Sequence, residues 1–323
     1  MNAMSDVAAA APVPLAAPVP VQAKRVPLKF EIGARTVMAI QRALVRVSLS
    51  LDDAREGRLP ALPPLPRDAH GYTITSLPED RIEALVYASG GMLPFVRQRY
   101  TRHYTELHGG FDAWFEGLSS NTRQQLRRKA RKIASESGGD LDIRAYRTPA
   151  ELEAFHDIAR RISLRTYQER LLGSGLPDSP EFLAEMAAKG AADEARAWLL
   201  HIGGEPAAYL YCPVVDGVVI YAHVGHDPAF NELSPGQVLQ LEAFRELFED
   251  RFLRFDFTEG EGQHKRTFAT AGVACADLLL LRPSLANRLT TLALGGFNAS
   301  VALAKRATQR AGLGKLAKKV RRG

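Results

Sequence analysis

The feature of the sequence that most constrains the fold is a strand, a helix and a second strand in succession between residues 218 and 257. Residues 218–224 and 252–257 are apolar and rich in β-branched or aromatic side chains, as buried strands are. Between them, apolar residues recur at helical spacing, namely Val238, Leu241, Phe244 and Phe248. A helix that joins two strands of one sheet returns the chain in the same direction, so we predict two parallel strands in an α/β fold.

The start of that helix is the strongest candidate for a ligand site. Ser234, Pro235 and Gln237 have the pattern of a capping box with proline at the first helical position. Gly236 has no side chain, so a ligand can approach the unpaired amides of the first turn, at the positive end of the helix dipole. We predict that this turn binds an anion such as a pyrophosphate through Ser234, Gly236, Gln237 and Val238.

Length and composition indicate a globular protein with a substantial core. The chain has 323 residues and is 46% apolar, which allows one large domain or two small ones. Its two cysteines, Cys212 and Cys275, are distant and form no CxxC pattern, so they predict neither a disulfide framework nor a metal site. We expect buried free thiols, a cytoplasmic location and no bound metal.

The first part of the chain differs in composition from the rest. Residues 1–27 are rich in alanine and proline and lack the charged start of a secretory signal, which predicts a disordered tail. In residues 28–66, apolar residues at helical spacing predict a basic helix over 32–50, and a proline-rich linker follows. The linker predicts a domain boundary, with residues 67–283 forming the main domain.

The main domain is predicted to alternate short strands and helices before an antiparallel meander. Strands are predicted at 71–77, 84–87 and 142–146. Helices are predicted at 95–107, 119–135, 149–166 and 180–189. The meander consists of the apolar runs 197–202, 207–215 and 218–224, which are separated by glycine-containing turns.

One predicted helix, over residues 119–135, carries a stripe of positive charge. Arg123, Arg127 and Arg131 recur every four residues and therefore lie on one face. Such a stripe is most often a solvated helix surface, and its functional interpretation is a face that binds the anionic part of a phosphorylated substrate. Both interpretations stay open from the sequence.

The segment as a whole resembles a known family. Ser234-Pro235-Gly236 with Leu239, followed by Asp256-Phe257, Gly260, Lys265 and Phe268, is similar to the signature of one branch of the GNAT acyltransferases. That branch is the CelD/BcsL type, the acetyltransferases assigned to cellulose and exopolysaccharide biosynthesis, and it is related to the Fem-type transferases. The resemblance covers roughly residues 111–282. It implies a mixed, mostly antiparallel sheet flanked by helices, and it allows a degenerate tandem of two GNAT-like halves.

The resemblance also implies an activity. Members of the family transfer an acyl group from acetyl-CoA or another acyl-CoA to an amine or hydroxyl, and a saccharide or lipid-linked precursor is the expected acceptor here. Two alternatives remain open: a Fem-like, aminoacyl-tRNA-dependent transfer, which the arginine stripe would suit, and a non-enzymatic adaptor that keeps the fold. Two positions depart from the family pattern, since His264 replaces a common tyrosine and Ser-Pro-Gly replaces a longer phosphate loop.

Five residues are candidates for the catalytic step. His223, Glu259 and His264 are candidate bases, and histidine needs only a small pKa shift to act near neutral pH. A histidine in a strand is also a common structural residue, and a loop glutamate is commonly solvated. Lys265 is expected to offer its charge to a phosphate or an oxyanion. Asp256 ends an apolar strand and is expected to support Lys265 or a backbone turn.

The C-terminal segment, residues 284–323, is basic and loosely amphipathic. It contains nine lysines and arginines and no acidic residue, whereas the whole chain has a net charge of only +6. Leucines and valines recur between these charges, as in a helix that lies on anionic lipid. Membrane binding, disorder and nucleic-acid binding are the three interpretations, in decreasing order of preference. The first places the protein in the cytoplasm, peripheral at the inner face of the membrane.

Overall fold

The computed structural model describes residues 22–32, 35–166, 175–260 and 262–310. The strands are β1 (Lys24–Ile32), β2 (Arg35–Ser48), β3 (Gly71–Pro78), β4 (Leu93–Glu106), β5 (Asp142–Tyr146), β6 (Ala195–Ile202), β7 (Glu205–Val215), β8 (Val218–Ile220), β9 (His223–His226), β10 (Arg254–Asp256) and β11 (Ala271–Leu281). The helices are α1 (Leu51–Arg55), α2 (Ile82–Ala88), α3 (Phe111–Gly117), α4 (Ser120–Glu136), α5 (Pro149–Arg165), α6 (Pro180–Ala191), α7 (Pro235–Phe248), α8 (Gln263–Phe268) and α9 (Leu285–Arg310). Most of the predicted N-terminal tail, residues 1–21, and residues 311–323 lie outside the described ranges.

The described strands form one mixed sheet in the order β1-β2-β3-β11-β4-β10-β8-β7-β6-β5, with β9 paired to β7. The pairs β2/β3 and β8/β10 are parallel and the other described pairs are antiparallel. Helices flank the sheet, so the predicted α/β class with a mixed, mostly antiparallel sheet is confirmed. The expectation of two GNAT-like halves stays a prediction.

The central strand, helix and strand are confirmed. β8 and β10 are parallel, with Val219 opposite Phe255, and α7 connects them. Phe244 of α7 packs against Phe255 at 4.8 Å between ring centroids and against Trp114 of α3 at 5.1 Å. The largest core cluster therefore lies between α3, α4, α7 and this part of the sheet.

The prediction of a basic helix over 32–50 is wrong, because these residues form β2. Apolar side chains lie on both of its faces: Leu44 packs with Leu28 of β1, and Val45 packs with Ile74 of β3. A strand buried on both sides loses the simple alternation that distinguishes it from a helix. β1 starts at Lys24, inside the predicted tail, and β2 pairs with β3, so the sheet continues across the predicted domain boundary.

Two predictions in the next segment are also wrong. Residues 95–107 form β4 and not a helix, and residues 84–87 belong to α2 and not to a strand. In β4, Tyr100, Arg102 and Tyr104 are buried at every second position, which is the period of a strand. A buried arginine normally has a partner. The partner of Arg102 comes from a distant part of the chain, so the local sequence did not show that this position is buried.

The remaining elements follow their predicted positions within a few residues, and the predicted loop before Phe268 contains the short helix α8. Cys212 and Cys275 are buried free thiols, as predicted, and burial raises the pKa of Cys275 to about 11. The C-terminal segment forms α9 over residues 285–310, which packs against β1 and β4.

Candidate functional site

The sheet opens at one place, between β9 and β10. β8 pairs with β10 as far as the bond from the Tyr221 amide to the Asp256 carbonyl, and β9 then pairs with β7 alone. Val214 lies opposite Val219, whereas Leu210 lies opposite Val224. Four steps along β7 therefore match five steps along its partner, so one extra residue bulges out between β8 and β9. The bulge is where the two neighbouring strands separate.

A cavity of about 970 Å³ lies at this opening. Its walls come from the start of α7, from β9, from the end of α5 and from α8. The lining side chains that carry polar groups include Arg165, Tyr221, Gln237, Gln240 and His264. Arg165 forms an ion pair with Asp227 at 2.7 Å. A cavity of this size is at the upper end of the range for small-molecule sites.

The start of α7 lines this cavity, but the predicted capping box is absent. Ser234 has a left-handed backbone, with φ of 54°, and its side chain accepts no amide hydrogen bond. The Gln237 amide donates to the Ser234 carbonyl, while the Gly236 amide has no backbone acceptor among the described residues. A Cβ atom added at Gly236 would meet no atom within 4 Å. The first turn of α7 is therefore open to a ligand at Gly236, whereas the Val238 side chain is buried.

Gln240 is a site residue that the sequence analysis missed. It lies one turn after Gly236, its side chain is 3% exposed, and it lines the cavity. Its Nε2 atom has no hydrogen-bond partner within the described ranges. A buried amide without a partner is costly, so this group is well placed to bond a ligand. The available signal was a polar residue on the otherwise apolar face of α7.

His264 and Tyr221 lie together on the opposite side of the cavity. Their rings are 5.8 Å apart between centroids. Burial and the neighbouring charge of Lys265 lower the pKa of His264, so the imidazole is neutral near pH 7. Its Nε2 atom is buried and has no hydrogen-bond partner in the described part of the chain. Burial raises the pKa of Tyr221, which therefore keeps its proton. Of the predicted bases, His264 is the one that lines the cavity.

Lys265 points away from the cavity. Its side chain is buried, and Nζ donates to the carbonyl oxygens of Phe257 at 2.7 Å and Glu259 at 2.5 Å. These bonds attach the loop after β10 to α8, the helix that carries His264. The Glu259 side chain is exposed and does not line the cavity. Lys265 is therefore placed to hold the loop, and the structure does not bring it to the first turn of α7.

Asp256 supports the sheet, although its partner is not Lys265. Its carboxylate forms a bidentate pair with Arg102 of β4, at 3.2 and 2.5 Å, and also accepts the Thr258 amide at 2.8 Å. Both side chains of the pair are buried. Arg102 also donates to the Leu49 carbonyl, so the pair connects β4, β10 and the end of β2. The expected turn-supporting role agrees with these contacts.

His223 lies on the opposite face of the sheet from the cavity. Its ring contacts Phe182 of α6 at 5.3 Å and Tyr211 of β7 at 6.2 Å. In regular alternation, Tyr221 and His223 would share one face of the strand, and the bulge sends them to opposite faces. Burial lowers the pKa of His223. The structure thus separates His223 from the other site residues.

The arginine stripe of α4 also lies outside the cavity. Arg123 donates to the carbonyls of Glu116 and Leu118 at the end of α3, and Arg131 donates to the Arg127 carbonyl. The Arg127 guanidinium lies 5.2 Å from the Phe115 ring centroid.

A different basic residue of the same helix reaches the site. Lys129 Nζ donates to Gln237 Oε1 at 2.5 Å. Burial and the charge of Arg128 lower the pKa of Lys129. Helix α4 therefore brings a cation to the first turn of α7.

A mixed sheet that opens beside the start of a crossover helix is the arrangement of a GNAT-like fold. The family comparison agrees, because residues 120–266 match the family described as the acetyltransferase (GNAT) domain. Residues 120–266 are therefore similar to GNAT acetyltransferase domains.

Several solved structures are similar at low identity. FemX is 11% identical with a TM-score of 0.49, covering 84% of this chain and 91% of that one. L-PGS from Bacillus licheniformis is 13% identical with a TM-score of 0.43, covering 83% and 86%. A GCN5-related N-acetyltransferase from Kribbella flavida is 14% identical with a TM-score of 0.38, covering 67% and 71%. No curated protein matches the chain.

Proposed function

We propose that this protein transfers an acyl group, such as acetyl, from coenzyme A to an amine or hydroxyl of a saccharide or lipid-linked precursor. One observation carries the proposal: the first-turn amides at Gly236, the unpaired amide of Gln240 and the neutral imidazole of His264 meet at one cavity. An adaptor that bound no small ligand would have no need of buried polar groups without partners.

The start of α7 fits the pyrophosphate of coenzyme A. Backbone amides at a helix N-terminus bind phosphate, and the absence of a side chain at Gly236 keeps the approach open. Lys129 adds a positive charge beside this turn, and the Arg165 guanidinium, which is paired with Asp227, lines the same cavity. We therefore assign the donor phosphates to Gly236 and its neighbours.

Side chains that line the cavity can accept the proton of the attacking group and can form hydrogen bonds to the polar atoms of the substrates. Bound in the cavity, the thioester supplies an acyl carbon that an amine or hydroxyl attacks with release of the thiol. His264 Nε2, neutral and without a partner in the described ranges, accepts the proton of the attacking group. Gln240 donates a hydrogen bond to an oxygen in the cavity. Tyr221 keeps its proton and can donate a hydrogen bond to the departing sulfur, and the proton that His264 accepted then passes to this sulfur to give the free thiol.

Lys265 and Asp256 serve this site indirectly. Lys265 binds the loop between β10 and α8, and Asp256 binds the start of that loop through the Thr258 amide. Both therefore set the position of α8 and of His264. In this proposal they are positioning residues and do not contact the substrate.

The proposed function is tested by measuring ligand binding first and enzymatic turnover second. Isothermal titration calorimetry with acetyl-CoA, a longer acyl-CoA and charged tRNA should give a single site for an acyl-CoA. Thiol release in the presence of amino sugars and other saccharides then identifies the acceptor. Binding of charged tRNA alone would favour aminoacyl transfer, and no binding of any of the three would favour an adaptor.

A matched pair of variants examines the role of His264. His264→Gln should retain acyl-CoA binding and lower turnover by about 100-fold to 10,000-fold, the usual contribution of a positioned base. His108→Gln is the control, because the His108 side chain is 81% exposed and lies outside the cavity. Equal turnover in the two variants would exclude His264 as the base.

A further inference from the structure

We propose that α9 and the β1–β2 hairpin form a surface that docks on an anionic lipid bilayer. We call this the α9 surface, defined as the outer face of residues 285–304 together with the exposed residues of 24–48. The inference is independent of the proposed acyl transfer, since it rests on a different part of the molecule.

One face of α9 is fixed against the sheet. Asn287, Thr290 and Leu294 are buried, and Phe297 contacts Phe30 of β1 edge-on at 5.3 Å. Arg42 of β2 donates to the side chains of Asn287 and Thr290. These contacts determine which side of the helix faces away from the protein.

The outer face of α9 is apolar. Its residues are spaced alternately by four and three positions, which keeps them on one line along a helix. They are Leu285, Leu289, Leu292, Gly296, Ala299 and Leu303. The four leucines are 74%, 59%, 71% and 64% exposed. The row extends for roughly 27 Å at 1.5 Å per residue. A continuous row of exposed leucines marks an interaction site, whereas isolated ones do not.

The hairpin extends this apolar surface at its tip. Met38 pairs with Phe30 and therefore lies on the same face of the sheet as α9. Ile32, Val37 and Met38 are all more than half exposed. The apolar surface is thus shared by two elements that are packed together.

The segments of the sequence that form this surface, together with the residues that follow α9, contain most of the excess positive charge of the protein. Residues 285–323 contain nine basic and no acidic residues, and residues 24–48 contain six basic residues and one acidic residue, Glu31. Their combined charge exceeds the net +6 of the whole chain, so the rest of the protein is net negative. Leucines flanked by such an excess of cations suit an anionic bilayer, which attracts the cations and accepts the leucines.

Two other partners fit this surface less well. A second copy of the chain would bring two basic regions together, and their repulsion would oppose the packing of the leucines. Nucleic acid would use the cations but has no use for a row of leucines, and the outer row contains no aromatic residue on which a base can stack. Within the described residues, no helix is long and apolar enough to cross a membrane, so the contact is with the bilayer surface.

Vesicle flotation tests the proposal with the full chain. Vesicles of three parts phosphatidylcholine to one part phosphatidylglycerol should bind the protein at low salt, and vesicles of phosphatidylcholine alone should bind it less. Binding should weaken as sodium chloride is added, because salt screens the attraction. If the protein ignores the anionic vesicles at low salt, the proposal is overturned.

Leu289→Gln with Leu292→Gln removes the centre of the row and should lower the affinity for anionic vesicles about tenfold or more. Leu253→Gln is the matched control, because Leu253 is also 59% exposed and lies outside the α9 surface. Thermal melting of both proteins checks that they fold. Equal vesicle binding by the double variant and the control would overturn the role of the leucines.

Two further measurements can also overturn the proposal. Sedimentation velocity would reveal a dimer, and a dimer that the double variant abolishes would show that the row binds a second copy. Fluorescence anisotropy with a duplex DNA oligonucleotide would reveal nucleic-acid binding, and binding tighter than to anionic vesicles would favour that partner. A monomer that prefers anionic vesicles supports the docking surface.

Discussion

Replacing Gly236 by valine is the sharpest test of the donor site. The new side chain would project from the first turn of α7 into open space, since a Cβ atom at Gly236 has no neighbour within 4 Å. The fold should therefore be unchanged, and valine is no worse than glycine in a helix. The three added carbon atoms would occupy the approach to the amides. Gly236→Val should thus act on ligand binding alone.

The magnitude follows from the bond that valine would prevent. The Gly236 amide in the first turn has no backbone acceptor among the described residues. A hydrogen bond to a charged group contributes about 1.5–3 kcal/mol. Its loss corresponds to a rise of roughly 10-fold to 150-fold in the Kd for coenzyme A.

Calorimetry measures the Kd, and a thermal shift gives an independent reading. A ligand at 100 times its Kd stabilises the native state by about 2.7 kcal/mol, and the variant should lose this stabilisation. Gly117→Val is the control, because Gly117 ends α3 and also has open space at its Cβ position. An unchanged Kd for Gly236→Val would show that the donor phosphates bind elsewhere.

Three further predictions concern the supports of the site. Lys265→Met should lower the free energy of unfolding by about 2–4 kcal/mol, because two loop carbonyls lose a charged donor. Urea denaturation measures this loss, and the exposed Lys132→Met should show none. Asp256→Asn should cost about 3–5 kcal/mol, because Arg102 keeps a buried charge without a counter-charge. The exposed Asp178→Asn is its control, and equal urea midpoints would refute the role of the pair. Stability should also fall as the pH is lowered from about 7.5 to about 5.5, because the unfolded chain takes up protons near pH 6.5 that three histidines, one buried and two half-buried, accept only at lower pH. A pH-independent urea midpoint would contradict the lowered pKa values of these residues, which are His201, His223 and His264.

The sequence by itself determined the elements whose signals are local. Helix α7 carries its apolar face and its glycine at the start within fourteen residues, and the meander is marked by turns at Gly203 and Gly217 with positive φ. These signals depend only on neighbours along the chain, so they need no knowledge of distant contacts. Helix α7 contains Gly236, one of the residues that line the cavity.

Elements buried on both faces were not determined by local pattern. β2 packs Leu44 on one side and Val45 on the other, and β4 buries Arg102 against an aspartate about 150 positions away. The spacing of apolar residues predicts burial, but it does not say how many faces of an element are covered. That number depends on which other elements pack there, and only the tertiary structure decides it.

The candidate site also combines features that the sequence determined with features that only the tertiary structure decided. The sequence identified His223, His264 and Lys265 as candidates for the catalytic step, but the bulge between β8 and β9 turns His223 to the other face. Lys265 donates hydrogen bonds to two backbone carbonyls instead of lining the cavity. Gln240 lines the cavity because α7 packs against the sheet with this side chain turned towards it. The direction of a side chain depends on strand register and helix packing, which are set by contacts between distant segments. Residue types and spacing therefore determined which groups are present, and the tertiary structure decided which of them meet.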